Sequence, residues 1–81
     1  MVLSEIAVGE SAVVATVDLP EELGHHLMHL GFLPEATIDV LRRAPAGDPT
    51  VYRVLGAEIA LRRETARHIR VRLAVHAPEH P

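Results

Sequence analysis

Leu41-Arg42-Arg43-Ala44-Pro45-Ala46-Gly47-Asp48-Pro49-Thr50-Val51-Tyr52 decides how the chain folds, because it reads as two strands joined by a tightly specified turn. Pro45 and Pro49 lack a donor N–H and hold φ fixed, so neither belongs in a central ladder. Gly47 and Asp48 supply the permissive backbone and the side-chain acceptor that turns use. On the flanks, Thr37-Ile38-Asp39-Val40-Leu41-Arg42 and Thr50-Val51-Tyr52-Arg53-Val54 alternate apolar with polar residues, as half-buried antiparallel strands do. A β-hairpin therefore stands at the centre of the fold.

Upstream, Ala12-Val13-Val14-Ala15-Thr16-Val17 is rich in β-branched residues and short enough for a strand, entered through the turn Gly9-Glu10-Ser11. Asp18 as N-cap, Pro20 in the first turn and Glu21-Glu22 at the positive end of the dipole predict a helix. Leu23, Leu27 and Leu30 give it one apolar face over about three turns, and Gly31 suits its C-terminus. Pro34 then forbids continuation. Downstream, Leu55-Gly56-Ala57 predicts a second turn and Glu58-Ile59-Ala60-Leu61-Arg62 a short strand. Arg63 to His68 reads as one helical turn, and Ile69-Arg70-Val71-Arg72-Leu73 alternates cleanly enough to be the last strand. The expected core is Leu23, Leu27, Leu30, Ile38, Val40, Val51, Ile59, Leu61, Ile69 and Val71.

The expected fold is mainly β: a small SH3-like β-barrel of about five antiparallel strands, with one inserted short α-helix and a helical turn before the last strand. Residues 1–75 form the domain and 76–81 a frayed tail. The chain has 81 residues, 48% of them apolar, which suits one small core. It has no apolar run approaching the roughly 20 residues of a membrane span, and Met1-Val2-Leu3-Ser4-Glu5 has neither a basic cluster nor an apolar leader. A cytoplasmic address is the expectation. The absence of cysteine excludes disulfides, thiolate metal sites and cysteine nucleophiles.

Charge is unevenly placed. Every base is an arginine, at 42, 43, 53, 62, 63, 67, 70 and 72, whereas Glu5, Glu10, Asp18, Glu21, Glu22, Glu35 and Asp39 precede them all. Either complementary charges meet within the domain or one side seeks a charged partner. The single Phe and single Tyr leave no aromatic groove for proline-rich peptides and no stacking platform for nucleic acid. No Ser/His/Asp order, paired carboxylates or phosphate-cradling glycine loop points to an enzyme.

Leu30-Gly31-Phe32-Leu33-Pro34, Ala44-Pro45-Ala46-Gly47-Asp48-Pro49, Ile59-Ala60-Leu61-Arg62-Arg63-Glu64-Thr65-Ala66 and Ile69-Arg70-Val71 occur in an order and at spacings that are specific as a set. Together they resemble the FeoA family of ferrous-iron transport proteins, from about Leu3 to Leu73. The resemblance implies an SH3-like domain that binds FeoB, a membrane transporter with a GTP-binding domain, and modulates its GTPase or gating activity in Fe(II) uptake. Membrane contact would come only through the transporter, at its inner face. Where the family pattern has Gly after the proline of the first motif, this chain has Glu35, which is strained if the position needs φ above zero.

Two sets of residues are candidates for sites. Arg43, Pro45, Gly47, Asp48, Pro49, Arg62 and Arg63 could form a partner-binding surface, against the plainer reading that proline and glycine set the hairpin, Asp48 caps its own turn and the arginines are solvated. His25 and His29, at i and i+4 on the predicted helix with Glu22 nearby, could hold a divalent metal weakly, Fe2+ or adventitious Zn2+, although no cofactor is required. The competing function is then handling or sensing of Fe(II) through these histidines. Self-association, as a homodimer or larger, is open through an unpaired strand edge.

Overall fold

The computed structural model describes residues 1–74, so the expected frayed tail lies outside the described residues. A 3-10 turn at Leu3–Glu5 leads to β1 (Ser11–Val17), α1 (Glu21–His29), β2 (Thr37–Arg43), β3 (Thr50–Val54), β4 (Ala57–Leu61), α2 (Arg63–Ala66) and β5 (Ile69–Leu73). The strands form one antiparallel sheet in the order β4-β3-β2-β1-β5. The hairpin read from the proline loop is its centre, with Arg43 opposite Thr50 and Ile38 opposite Val54.

The sheet does not close, and the expected barrel is thereby corrected. Closure would need β4 to pair with β5, yet β4 and β5 stand at the two ends of the strand order. The free side of β5 is already used: Val2 bridges Arg70, and the Val71 N–H donates to the Met1 carbonyl at 2.9 Å. Once those backbone groups are spent on the N-terminal residues, β4 has no donors or acceptors to meet there. Among the described residues the outer edge of β4 has no strand partner.

The core lies on one face of this sheet. Leu27, Ile38, Val40, Leu61, Ile69 and Val71 are buried as expected, joined by Leu3, Ile6, Ala12, Val14, Phe32, Tyr52, Val54 and Ala66. Val51 and Ile59 are only half-buried, and Leu23 is 37% exposed. Leu27 is the buried residue of α1; Leu23, on the same helical face, stays exposed, and Leu30, the helix's C-cap, is half-buried against the core.

Each end of α1 has an identifiable cause. Pro20 is the N-cap and makes no side-chain cap bond. Asp18, expected in that role, instead accepts from Arg70 Nε at 3.3 Å, while its N–H donates to the His68 carbonyl. At the other end the Phe32 N–H donates to the Leu27 carbonyl and the Gly31 N–H to that of Met28, the paired bonds that close a helix through a left-handed residue. Gly31 has φ +115°, a backbone conformation that favours glycine; the nearest obstacle to a Cβ is the end of the exposed Leu55 side chain at 2.9 Å, which can move aside. Leu55 and Gly56 make the two-residue β3–β4 turn, both with positive φ, which places the exposed Leu55 in a conformation that favours asparagine or glycine.

Glu35 has φ +73°, so the strain expected from a side chain here is present. Its carboxylate receives both terminal nitrogens of Arg72, which holds its pKa below the ordinary glutamate value and raises that of the guanidinium. Glu35→Gly loses the ion pair but relieves the backbone, whereas Glu35→Ala loses the pair and keeps the strain. Thermal melts should therefore rank Gly above Ala by roughly 4–8 °C. Equal melting temperatures would mean that position 35 carries no strain.

Candidate partner-docking site

The proline loop is rigid because its polar groups are used internally. The Ala44 N–H donates to the Pro49 carbonyl at 3.0 Å and the Gly47 N–H to the Ala44 carbonyl at 2.7 Å, which closes a turn over Pro45 and Ala46. Gly47 takes φ +96°, the left-handed region that favours glycine. The Asp48–Pro49 peptide is cis.

Asp48 does not cap its own turn. Its Oδ1 accepts the Arg63 N–H at 2.9 Å, satisfying the first amide of α2 from across the fold. Arg63 Nη2 reaches back to the Gly47 carbonyl at 3.4 Å. Gly47, Asp48 and Arg63 are thus brought together, with Pro49 beside them, Arg62 one residue away and Pro45 exposed on the turn. Asp48→Ala should leave that amide unpaired, costing about 0.5–2 kcal/mol. Hydrogen exchange at Arg63 should accelerate while that of β1 is little changed, and unaltered exchange at Arg63 would remove Asp48 from this role.

Arg43 has a different task. Its Nε donates to Thr50 Oγ1 at 2.8 Å and its Nη2 to the Ile6 carbonyl at 3.2 Å, which satisfies a buried hydroxyl and ties the N-terminal turn to the hairpin. Next to it, burial pushes the Tyr52 phenol above its ordinary pKa. Arg43 therefore supports the loop from behind.

The other seven arginines divide into two groups. Arg42 and Arg53 pair with Glu58, Arg70 with Asp18 and Arg72 with Glu35. Arg42 accounts for most of the lowering of the Glu58 pKa. Among the described residues Arg62, Arg63 and Arg67 form no ion pair with an acid. The first group answers the charge asymmetry internally, and the second leaves three cations on α2 and its two ends beside the proline loop, with exposed Glu64 among them, a net positive corner.

His25, His29 and Glu22 all lie exposed on α1. Among the described residues no three His, Cys, Asp or Glu side chains are grouped so that they could hold a metal ion, so these three do not make a ligand set. Sequence reading missed a groove between α1 and β1, lined by Ala15, Val17, Gly24, Met28 and Phe32 among others. Its one signal was Gly24, a helix-weakening residue in the middle of an otherwise well-formed helix.

Residues 1–73 match the model of the FeoA domain. The chain belongs to the FeoA family. It is 37% identical over 73 residues to a fusion protein of Fe(2+) transport protein A and the Fe(2+) transporter FeoB from Porphyromonas gingivalis, covering 90% of this chain but only 9% of that protein. FeoA from Chlorobium tepidum, solved by solution NMR, superposes with a TM-score of 0.89 at 35% identity, covering 99% of this chain and 76% of that one. A zinc complex of Stenotrophomonas maltophilia FeoA, described as a prokaryotic SH3-domain protein, gives a TM-score of 0.77 at 32% identity and covers 88% of each chain. FeoA-family membership makes this a small non-catalytic domain. Within the family's motifs, Leu30 to Pro34 closes α1 and Ala44 to Pro49 forms the loop held against α2, so both motifs set backbone geometry.

Proposed function

We propose that this chain is a cytoplasmic accessory of a FeoB-type ferrous-iron transporter, docking through the corner formed by the proline loop and α2. The observation that carries this reading is the set of Arg62, Arg63 and Arg67, without an ion-pair partner among the described residues and carried on α2 and its two ends, whose first amide Asp48 holds. Cations held on a rigid support suit an acidic protein surface, because little side-chain and loop ordering is left to be lost on binding. The fusion of the two proteins in the Porphyromonas gingivalis relative supports the transporter as the partner. To modulate GTPase or gating activity, the domain must bind one transporter state more tightly than the other, and the shift is limited to that difference. No helix of the described residues is long and apolar enough to cross a membrane, so membrane recruitment would run through the transporter. Phe32 and Tyr52 are both buried, so neither ring is available for stacking on nucleic-acid bases.

A second reading has one supporting observation, the zinc bound to the Stenotrophomonas maltophilia relative. In this chain His25 and His29 at i and i+4 would have to supply the site with no third ligand beside them among the described residues. Such a pair binds divalent metals weakly and with little selectivity. Replacing His25 and His29 together by alanine should leave transporter-dependent Fe(II) uptake unchanged in cells lacking the native protein. A loss of uptake matching deletion of the whole chain would favour metal handling over docking. The open edge of β4 also offers a site for self-association by strand pairing.

A further inference from the structure

The groove between α1 and β1 encloses about 340 Å³ and is lined mainly by apolar groups, with Glu21 and His25 also contributing. Two of its residues sit where their type is otherwise unfavourable. Gly24 lies inside α1 without positive φ, and a Cβ added to it would meet only the Leu19 carbonyl oxygen at 3.8 Å. Neither backbone nor packing demands glycine there, and glycine is among the weakest helix formers. Ala15 interrupts the β1–β5 register, which shifts between Val14 and Thr16. Both small residues keep the groove open, and the neighbouring Met28 is 42% exposed although it lines an apolar wall.

The charge beside the groove identifies what could enter it. Glu21 and Glu22 are exposed on the first turn of α1, have no ion-pair partner among the described residues, and share a helix with no Lys or Arg. We propose that the groove receives a leucine, methionine or phenylalanine side chain from a basic cytosolic segment next to a membrane-spanning helix of the transporter. Such segments carry an excess of Lys and Arg, which would face Glu21 and Glu22 while the apolar anchor fills the groove. The proposal rests on the docking function above and adds a second contact of opposite sign. None of the groove residues belongs to the proline loop or α2, so the two contacts can be broken separately.

The test uses the full chain, its cognate transporter in detergent, and synthetic peptides covering the transporter's cytosolic juxtamembrane segments. Gly24→Ala should raise the melting temperature by roughly 4–8 °C through helix propensity. Gly24→Leu should keep the fold, fill the groove and weaken both transporter and peptide binding at least about tenfold. Undiminished binding of the Gly24→Leu chain to the transporter would overturn the groove proposal while leaving the docking function intact. Failure of the unaltered chain to bind the transporter at all would overturn both. A dimer that Gly24→Leu dissociates, with no binding to any peptide, would give the groove to a second copy and overturn the assigned occupant.

Discussion

Replacing Arg62, Arg63 and Arg67 together by glutamate is expected to lower affinity for the transporter's cytosolic domain by roughly 100-fold or more, with the fold retained. All three side chains are exposed and form no ion pair among the described residues, so their reversal breaks no internal salt bridge. The backbone N–H of residue 63, which Asp48 accepts, survives the substitution, although the bond from Arg63 Nη2 to the Gly47 carbonyl is lost and a new carboxylate stands near Asp48, so a thermal melt of the variant accompanies the binding measurement. At a complementary interface the change converts attraction into like-charge juxtaposition, which costs several kcal/mol and slows encounter. The unaltered chain should bind more weakly as salt rises, and the variant should lose that salt dependence. Binding that is unchanged in the triple variant would remove this corner from the interface.

The second large effect is on stability. Phe32→Ala should destabilise the domain by about 3–5 kcal/mol, a large share of the 5–15 kcal/mol typical of a domain. Phe32 is 1% exposed and lies in the bond pair that closes α1, so truncation opens a cavity where helix and sheet meet. For a chain of this size the melting temperature should fall by roughly 15–30 °C. Leu23→Ala is the contrast, expected to cost far less because Leu23 keeps more than a third of its surface in solvent and lies outside the buried core. A Phe32→Ala chain melting within 5 °C of the original, roughly 1 kcal/mol, would place the core elsewhere.

These two cases also show where sequence was informative. Strand alternation gave the bounds of β2, β3 and β5 almost residue for residue, but in β3 it put the wrong face inward: Val51, expected in the core, is half-buried, and Thr50, Tyr52 and Val54 are the buried residues. The proline loop was equally legible because Pro45, Gly47 and Pro49 restrict the backbone locally. Closure was not legible. Whether the last edge pairs with β4 or with Met1 and Val2 depends on hydrogen bonds between residues far apart in sequence, and a two-residue partner leaves no periodic pattern. The role of Asp48 was hidden for the same reason, its acceptor reaching Arg63 across the fold.

Among the candidate residues, Gly47, Asp48 and Arg63 converge in the fold, whereas Arg43 turns to Thr50 and Ile6. Composition exposed the excess of late arginines but could not say which would find acids at home. That sorting needed Glu58, Asp18 and Glu35 placed beside their partners. The Gly31 to Pro34 segment was read from its motif, and the positive φ at Glu35 followed from the glycine that the family pattern carries there.

The most direct test is an NMR titration of the isotopically labelled chain with the cytosolic domain of its cognate transporter, with and without a GTP analogue. Shifts confined to Gly47, Asp48 and residues 62–67, larger in one nucleotide state than the other, are the predicted result. Absence of shifts in every nucleotide state, together with shifts at His25 and His29 on anaerobic addition of Fe(II), would contradict docking and favour metal handling.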